Sequence, residues 1–134
     1  MAIRRTGTLL ALGALALGAA VFLVTHSSQR EGVINVSVPR LSADAAAGRT
    51  TFNSICAACH GQDGSGSDAG PPLIHKIYEP GHHGDHTFRL AVKTGVRAHH
   101  WSFGNMPPIA DVSTRQVEHI ISFVREVQRH NGIN

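Results

Sequence analysis

The run Cys56-Ala57-Ala58-Cys59-His60 carries more structural information than any other part of this chain. It contains the only two cysteines of the 134 residues, and a histidine directly follows the second one. A C-x-x-C-H run is typical of covalent haem attachment. Thiols one helical turn apart can reach the two vinyl groups of one porphyrin, and the next imidazole then faces the iron. The run therefore predicts one covalent haem c, bound through Cys56 and Cys59, with His60 as an iron ligand.

Three other uses of paired cysteines agree less well with the sequence. A thioredoxin-like dithiol shares the C-x-x-C spacing, but it occurs in a βαβ context and does not require the histidine. A structural zinc site needs four ligands, and the chain has no second cysteine pair. A disulfide between residues three apart would close a very small loop and add little stability.

The N-terminus has the charge and hydropathy pattern of an export signal. Arg4 and Arg5 precede the uncharged, apolar residues 6–25, which as a helix would be ~30 Å long and match a bilayer core. We interpret residues 1–26 as a transmembrane signal-anchor in a bacterial inner membrane, with the arginines on the cytoplasmic side. A cleaved signal peptide, giving a soluble periplasmic protein, is the alternative, with Gly18-Ala19-Ala20 as the cleavage site. Both interpretations export the domain to the periplasm.

The charge balance gives no indication of nucleic-acid binding. The chain has 12 basic and nine acidic residues, and without Arg4 and Arg5 the basic excess falls from three to one. A nucleic-acid-binding domain would carry a clustered basic surface. Any electrostatic steering toward a partner must therefore come from a local patch.

Beyond the N-terminal segment the sequence predicts a linker over 27–41 and one folded domain over 42–134. The linker is polar, and its alternating residues 33–38 predict an extended tether rather than a strand in a sheet. Helices are predicted over 42–56, with Ser42 as N-cap, and over 87–96, capped by Asp85 or Thr87. A third helix is predicted over 113–129. It opens with a capping box and has an apolar stripe formed by Val117, Ile120, Ile121, Val124 and Val127.

These features in combination resemble a class I monohaem cytochrome c of bacteria. The resemblance covers roughly residues 42–131 and adds Gly-Pro-Pro-Leu at 70–73 and Gly-Asn-Met-Pro-Pro at 104–108 to the haem-attachment run. It implies an all-α fold of three to four helices around one covalent haem. It also implies that the first and last helices cross closely at Gly48, beside Phe52 and Phe123.

The resemblance further implies the iron ligands and their supporting contacts. His60 would be the proximal ligand, with its other ring nitrogen bonded to the carbonyl of Pro71. Met106 would be the distal ligand, and its soft sulfur would raise the potential. The alternative for Met106 is a gap-filling core residue. The resemblance does not assign Trp101, but its indole N–H is a candidate donor to a haem propionate.

The chain has ten histidines, nine of them in the predicted domain over 42–134, which is many for so small a domain, and four interpretations of them remain open. They are solvated loop residues, or ligands of a second metal such as copper or zinc, or groups that make a propionate contact pH-dependent. In the fourth interpretation His99 or His100 replaces Met106 at the iron. The candidate ligands of a second metal are His82, His83, His86, His99 and His100, with Asp85 as an oxygen ligand or supporting group.

The predicted function is outer-sphere electron transfer by a periplasmic, membrane-anchored single-haem carrier, not an enzyme and without a small-molecule substrate. The expected partners are an oxidase, a quinol-oxidising complex or a periplasmic dehydrogenase. A haem subunit of a copper-handling system, with the second metal in the histidine-rich loops, is the alternative. A peroxidase-like enzyme would need an open coordination position on the iron.

Overall fold

The computed structural model describes residues 32–134, and within that range it contains four α-helices and no strand. This confirms the all-α prediction for the described part of the chain. The predicted N-terminal helix, 1–26, and linker residues 27–31 lie outside it. Among residues 32–134, no helix has the length and apolar character to cross a bilayer. The helices are α1 (Ala43–Ile55), α2 (Ala57–His60), α3 (Asp85–Thr94) and α4 (Thr114–His130), and single 3-10 turns span Gln62–Gly64 and Lys76–Tyr78.

The two longest helices begin at the caps that the sequence predicts. The Ser42 hydroxyl accepts a hydrogen bond from the backbone N–H of Ala45 at 3.3 Å and so caps α1. At the start of α4, Ser113 accepts from the backbone of Gln116, whose side chain accepts in return from the backbone of Ser113 at 2.9 Å. Each cap satisfies N–H groups that have no partner inside the helix.

Helices α1 and α4 pack against each other at Gly48. A Cβ atom at Gly48 would collide with the backbone carbonyl of His119 in α4, so only glycine permits this approach. One turn later the rings of Phe52 and Phe123 meet at 5.5 Å between centroids, and both are fully buried. The close crossing implied by the family resemblance is therefore present. The buried core around it consists of Ala45, Phe52, Ile74, Ile120, Phe123, Val124 and Val127.

Residues 33–41, assigned to the linker from the sequence, lie in an extended conformation against this core. Ile34, Val36 and Val38 pack on the buried cluster, while Ile34 donates its backbone N–H to the carbonyl of Ser65 at 2.8 Å. Asn131, just beyond α4, bonds both the N–H and the carbonyl of Ser37. The compact unit thus begins at Gly32, ahead of the first helix.

Helix α3 starts two residues before the predicted position. Its N-cap is Gly84, which offers no side-chain cap, so the prediction that Asp85 or Thr87 caps this helix is wrong. The Thr87 hydroxyl instead donates to the carbonyl of Gly84 at 2.7 Å. Helix α3 is fixed to α4 by two arginine–carboxylate pairs, Arg89 with Glu118 at 2.6 Å and Arg125 with Asp85 at 2.8 Å.

Candidate functional site

Both cysteines lie at one end of α1, where the chain turns into the short helix α2. The backbone N–H of His60 donates to the carbonyl of Cys56 at 2.9 Å, so the C-x-x-C-H run forms one helical turn. Both thiols are free, Cys56 half-buried and Cys59 exposed, and both line the same cavity. The turn therefore presents two thiols and an imidazole to one space.

The ring of His60 is oriented by the loop that follows it. Its Nδ1 lies 2.9 Å from the carbonyl oxygen of Pro71. Because a carbonyl only accepts, Nδ1 carries the proton and Nε2 keeps its lone pair for a metal. Burial lowers the pKa of His60, and the bond to Pro71 opposes that shift in part. The side chain is thus neutral near neutral pH, as a metal ligand must be.

The cavity in front of these groups has a volume of about 550 Å³. It lies between the α1–α2 junction, α3 and the loop over 95–109. Its lining is mostly apolar, which suits a large flat cofactor that must be kept from water. Hydrophobic residues of the lining include Phe52, Leu73, Phe88, Val92, Val96 and Ile120.

Met106 lines the same cavity from the loop over 95–109. Its backbone exchanges two hydrogen bonds with Val96, at 2.9 and 3.0 Å, in an isolated antiparallel bridge. Gly95, with φ of 76°, makes this bridge possible, because a Cβ there would meet the Met106 carbonyl. Pro107 restricts the backbone on the other side. The thioether is therefore attached to a well-fixed segment of backbone.

Trp101 contributes a buried donor to the cavity. Its Nε1 is buried and, within the described residues, has no partner with good hydrogen-bond geometry, although it lies near enough to the Tyr78 hydroxyl to oppose in part the rise that burial causes in the pKa of Tyr78. The indole packs edge-on against His75 at 5.2 Å between ring centroids, and it lines the cavity. Buried N–H groups are nearly always bonded, and an acceptor on the occupant of the cavity would give this donor a better-placed partner, as the predicted propionate contact requires.

The residues present fit a haem c group. Two thiols, a neutral imidazole, a thioether, an apolar lining and a buried indole N–H all converge on one cavity. The cysteines do not fit a redox dithiol, whose attacking sulfur has a lowered pKa. Burial, with a smaller effect of neighbouring Cys59, raises the pKa of Cys56 to about 11.

Of the five histidines proposed as ligands of a second metal, the structure brings three together and leaves two outside that group. His82, His83 and His100 converge, with one ring nitrogen of each within 4.8 Å of the others. We call this set the imidazole cluster. His99 lies beside it, with its ring centroid 4.3 Å from that of His100, whereas His86 is outside it. Neither Asp85, which pairs with Arg125, nor any other carboxylate of the described residues joins the cluster.

Sequence reasoning missed a buried polar pair in α4. Arg125 is 7% exposed and Gln128 is fully buried. Gln128 donates to the carbonyls of Leu73 and Tyr78, each at 2.9 Å, and Arg125 also bonds Tyr78, at 2.7 Å. A signal was present, since both residues follow Ile121 at helical spacings of four and seven, inside the apolar stripe. Arg125 also bonds the carbonyl of His83, so these two side chains position the segment that carries His82 and His83 of the imidazole cluster.

Comparison with known proteins gives one match. The family model for cytochrome c matches residues 45–128, which is more than half of the chain. The match includes α2 and α3 in full, and it includes α1 and α4 except for the first two residues of α1 and the last two residues of α4. The matched range includes the cysteine pair, His60, Met106 and Trp101. No curated protein and no solved structure matches the chain.

Proposed function

Since the chain belongs to the cytochrome c family, we propose that its domain is a class I, single-haem electron carrier. Members of this family bind haem c covalently and transfer electrons. One observation carries the finer proposal: His60 and Met106, an imidazole with a free Nε2 and a thioether, line one cavity. These two side chains would hold the iron of a bound haem between them, which would leave no iron position for a substrate.

Each site residue then has one task. Cys56 and Cys59 attach the porphyrin, and the carbonyl of Pro71 keeps Nε2 of His60 directed at the metal. Met106 would supply the second protein ligand of the iron, and Trp101 would donate to a propionate. The haem itself supplies a reversible one-electron iron couple. The apolar lining excludes water, which favours the less charged ferrous state.

This arrangement supports a carrier rather than an enzyme. Redox enzymes that act on peroxide or oxygen need an open iron position, and a fixed methionine opposes one. Outer-sphere transfer needs only an accessible cofactor edge and a weak, short-lived partner contact. Leu90, which lines the cavity and is 56% exposed, provides apolar surface for such an encounter.

Export and membrane attachment are part of the same proposal. Residues 1–26 would anchor the chain in a bacterial inner membrane with the haem domain in the periplasm, or would act as a signal peptide that is removed. An anchor would raise the effective concentration of the domain near membrane-bound partners. The proposed partners are an oxidase, a quinol-oxidising complex or a periplasmic dehydrogenase.

The proposal is tested by spectra and mass of the protein purified from an expression host that attaches haem c. We expect one haem per chain, retained after acid–acetone extraction. The oxidised protein should show the weak far-red absorption of methionine–iron ligation and resist cyanide. Extraction of the pigment would overturn covalent attachment, while rapid cyanide binding without the far-red band would favour an enzyme. The mass of the mature chain distinguishes an anchor from a cleaved signal.

A further inference from the structure

The imidazole cluster of His82, His83 and His100 has the geometry of a metal site. Nε2 of His82 and Nε2 of His100 lie 3.2 Å apart. Two nitrogens bound to one tetrahedral zinc ion at the usual Zn–N distance are separated by about 3.3 Å. In the square-planar sites that Cu²⁺ prefers, adjacent ligands are closer together. This spacing is that of a hydrogen bond between the two rings, and it also matches two ligands on one tetrahedral zinc ion, which would take the place of the shared proton.

His83 is already oriented as a third ligand. Its Nδ1 lies 2.6 Å from the backbone carbonyl of Ile77, which can only accept, so the proton is on Nδ1 and Nε2 has a free lone pair. Metal-bound histidines characteristically donate their other ring N–H to such a carbonyl. His60 has the same arrangement with Pro71.

Two separately fixed loops bring the cluster together. The backbone N–H groups of His82 and His83 both donate to the carbonyl of Glu79, at 3.0 and 2.8 Å, and Arg125 bonds the carbonyl of His83. His100 comes from the loop over 97–105, where Ala98 donates to the Asn105 side chain at 2.9 Å. Because both backbones are held without a metal, binding would require little further ordering.

The surroundings favour neutral imidazoles. No carboxylate of the described residues joins the cluster, so protonated rings would repel one another without compensation. Of the two facing nitrogens of His82 and His100, one carries a proton and the other accepts the hydrogen bond, so a cation binds both once the donor ring moves its proton to Nδ1.

We propose that His82, His83 and His100 bind one Zn²⁺ ion through three imidazole nitrogens, with the fourth position open to water. His83 and His100 also line the haem cavity, so the ion would lie at the rim of that cavity. The remaining two histidines of the predicted set are not ligands. The ring nitrogens of His99 do not converge with those of the cluster, although its ring packs beside His83 and His100, and His86 is exposed outside it.

The test is zinc binding by the full-length, haem-loaded protein after treatment with a chelator and desalting. Titration calorimetry with Zn²⁺, together with elemental analysis after gel filtration, should give one zinc per chain in addition to the haem iron. His82→Ala and His100→Ala should each weaken binding at least about tenfold. His86→Ala, a change of the same kind four residues from His82, should bind zinc like the unchanged protein.

Visible and circular dichroism spectra show whether each variant is folded, so that a loss of zinc is not mistaken for unfolding. The proposal is overturned if the unchanged protein retains no more zinc than a folded His82→Ala/His100→Ala double variant. It is also overturned if His86→Ala loses as much affinity as His82→Ala, because binding would then be a general property of surface histidines. These readouts are independent of electron transfer.

Discussion

The guanidinium of Arg125 donates from Nη2 to the backbone carbonyl of His83 at 2.5 Å, across 42 positions of sequence. The same guanidinium bonds the carboxylate of Asp85 and the carbonyl of Tyr78, and its Cζ lies 4.9 Å from the centre of the Phe88 ring. One buried side chain of α4 thus fixes the segment that enters α3. This segment includes the turn at His82 and His83 and one wall of the haem cavity.

Replacing Arg125 by Met should destabilise the domain. The change keeps an apolar stem of similar length but leaves the His83 carbonyl without its donor, at a cost of about 2–4 kcal/mol in the free energy of unfolding. Urea denaturation of the haem-loaded protein, followed by circular dichroism, measures this cost. Arg129→Met is the matched control, since Arg129 is exposed on the same helix. Equal effects of the two changes would contradict the positioning role of Arg125.

Gly48→Ala should be strongly destabilising because the added Cβ would collide with the His119 backbone, which cannot move without shifting α4. We expect a loss of at least about 2 kcal/mol in the free energy of unfolding, or failure to accumulate folded protein. Gly81→Ala is the control, since a Cβ at Gly81 meets nothing within 4 Å. The measurement is urea denaturation of both variants. A Gly48→Ala protein as stable as the control would show that the helices do not cross here.

The parts of the fold that local sequence determines were predictable. Helices α1 and α4 begin at Ser42 and Ser113 because each cap is formed by side chains within three residues. Helix α3 was placed two residues too late because its N-cap, Gly84, has no side-chain signal. The extended segment 33–41 could be recognised from its alternation, but not its attachment to the domain. That attachment depends on the Asn131–Ser37 bonds, across 94 positions.

In the candidate site, too, features within short stretches of sequence were predictable, whereas contacts between distant parts of the chain were not. The cysteine pair and His60 are contiguous, and the residues around Pro71 and Met106 carry recognisable motifs, so all were named from the sequence. The selection of His82, His83 and His100 from five candidate histidines was not predictable. It depends on how two loops meet, and that meeting depends in part on the buried Arg125.

Asp63 should make the stability of the domain depend on acid pH. Its carboxylate accepts from Arg49 at 2.8 Å and from Asn53 at 2.9 Å. The hydrogen bond from Arg49 is the main cause that lowers the pKa of Asp63 below its usual 3.8. A lowered folded-state pKa stabilises the protein above the unfolded pKa, and that contribution is lost as pH falls through the folded value.

Asp63→Asn should therefore lose less stability than the unchanged protein between roughly pH 6 and pH 2.5. Urea denaturation at the two pH values gives the comparison. Arg49→Gln should likewise reduce the loss of stability between these two pH values. Combining it with Asp63→Asn should change that loss little further, because the two residues form one interaction. Additive effects of the two changes would show that Asp63 owes its acidity to other groups.

Trp101→Phe should lower the midpoint potential while leaving the fold intact. Phenylalanine keeps a ring next to His75 and Phe103 but removes the buried N–H donor. A propionate without that donor would exert a stronger negative field, which favours the ferric state. Redox titration measures the change, and Phe103→Leu, which removes no polar group, is the control. An unchanged potential in the folded variant would rule out this contact.

Met106→Ala should remove the far-red band of the oxidised protein, lower the potential and allow cyanide to bind. The fold should survive because Met106 pairs with Val96 through its backbone alone. A thioether ligand raises the potential relative to other axial ligands, so Met106→His should restore a closed iron site without restoring the high potential. Visible spectra and redox titration measure both variants. His99→Ala and His100→Ala serve as controls, since the alternative places one of these imidazoles on the iron. If the band survives in Met106→Ala, or if the unchanged protein lacks the band and binds cyanide only after His99 or His100 is replaced, the sixth ligand is not Met106.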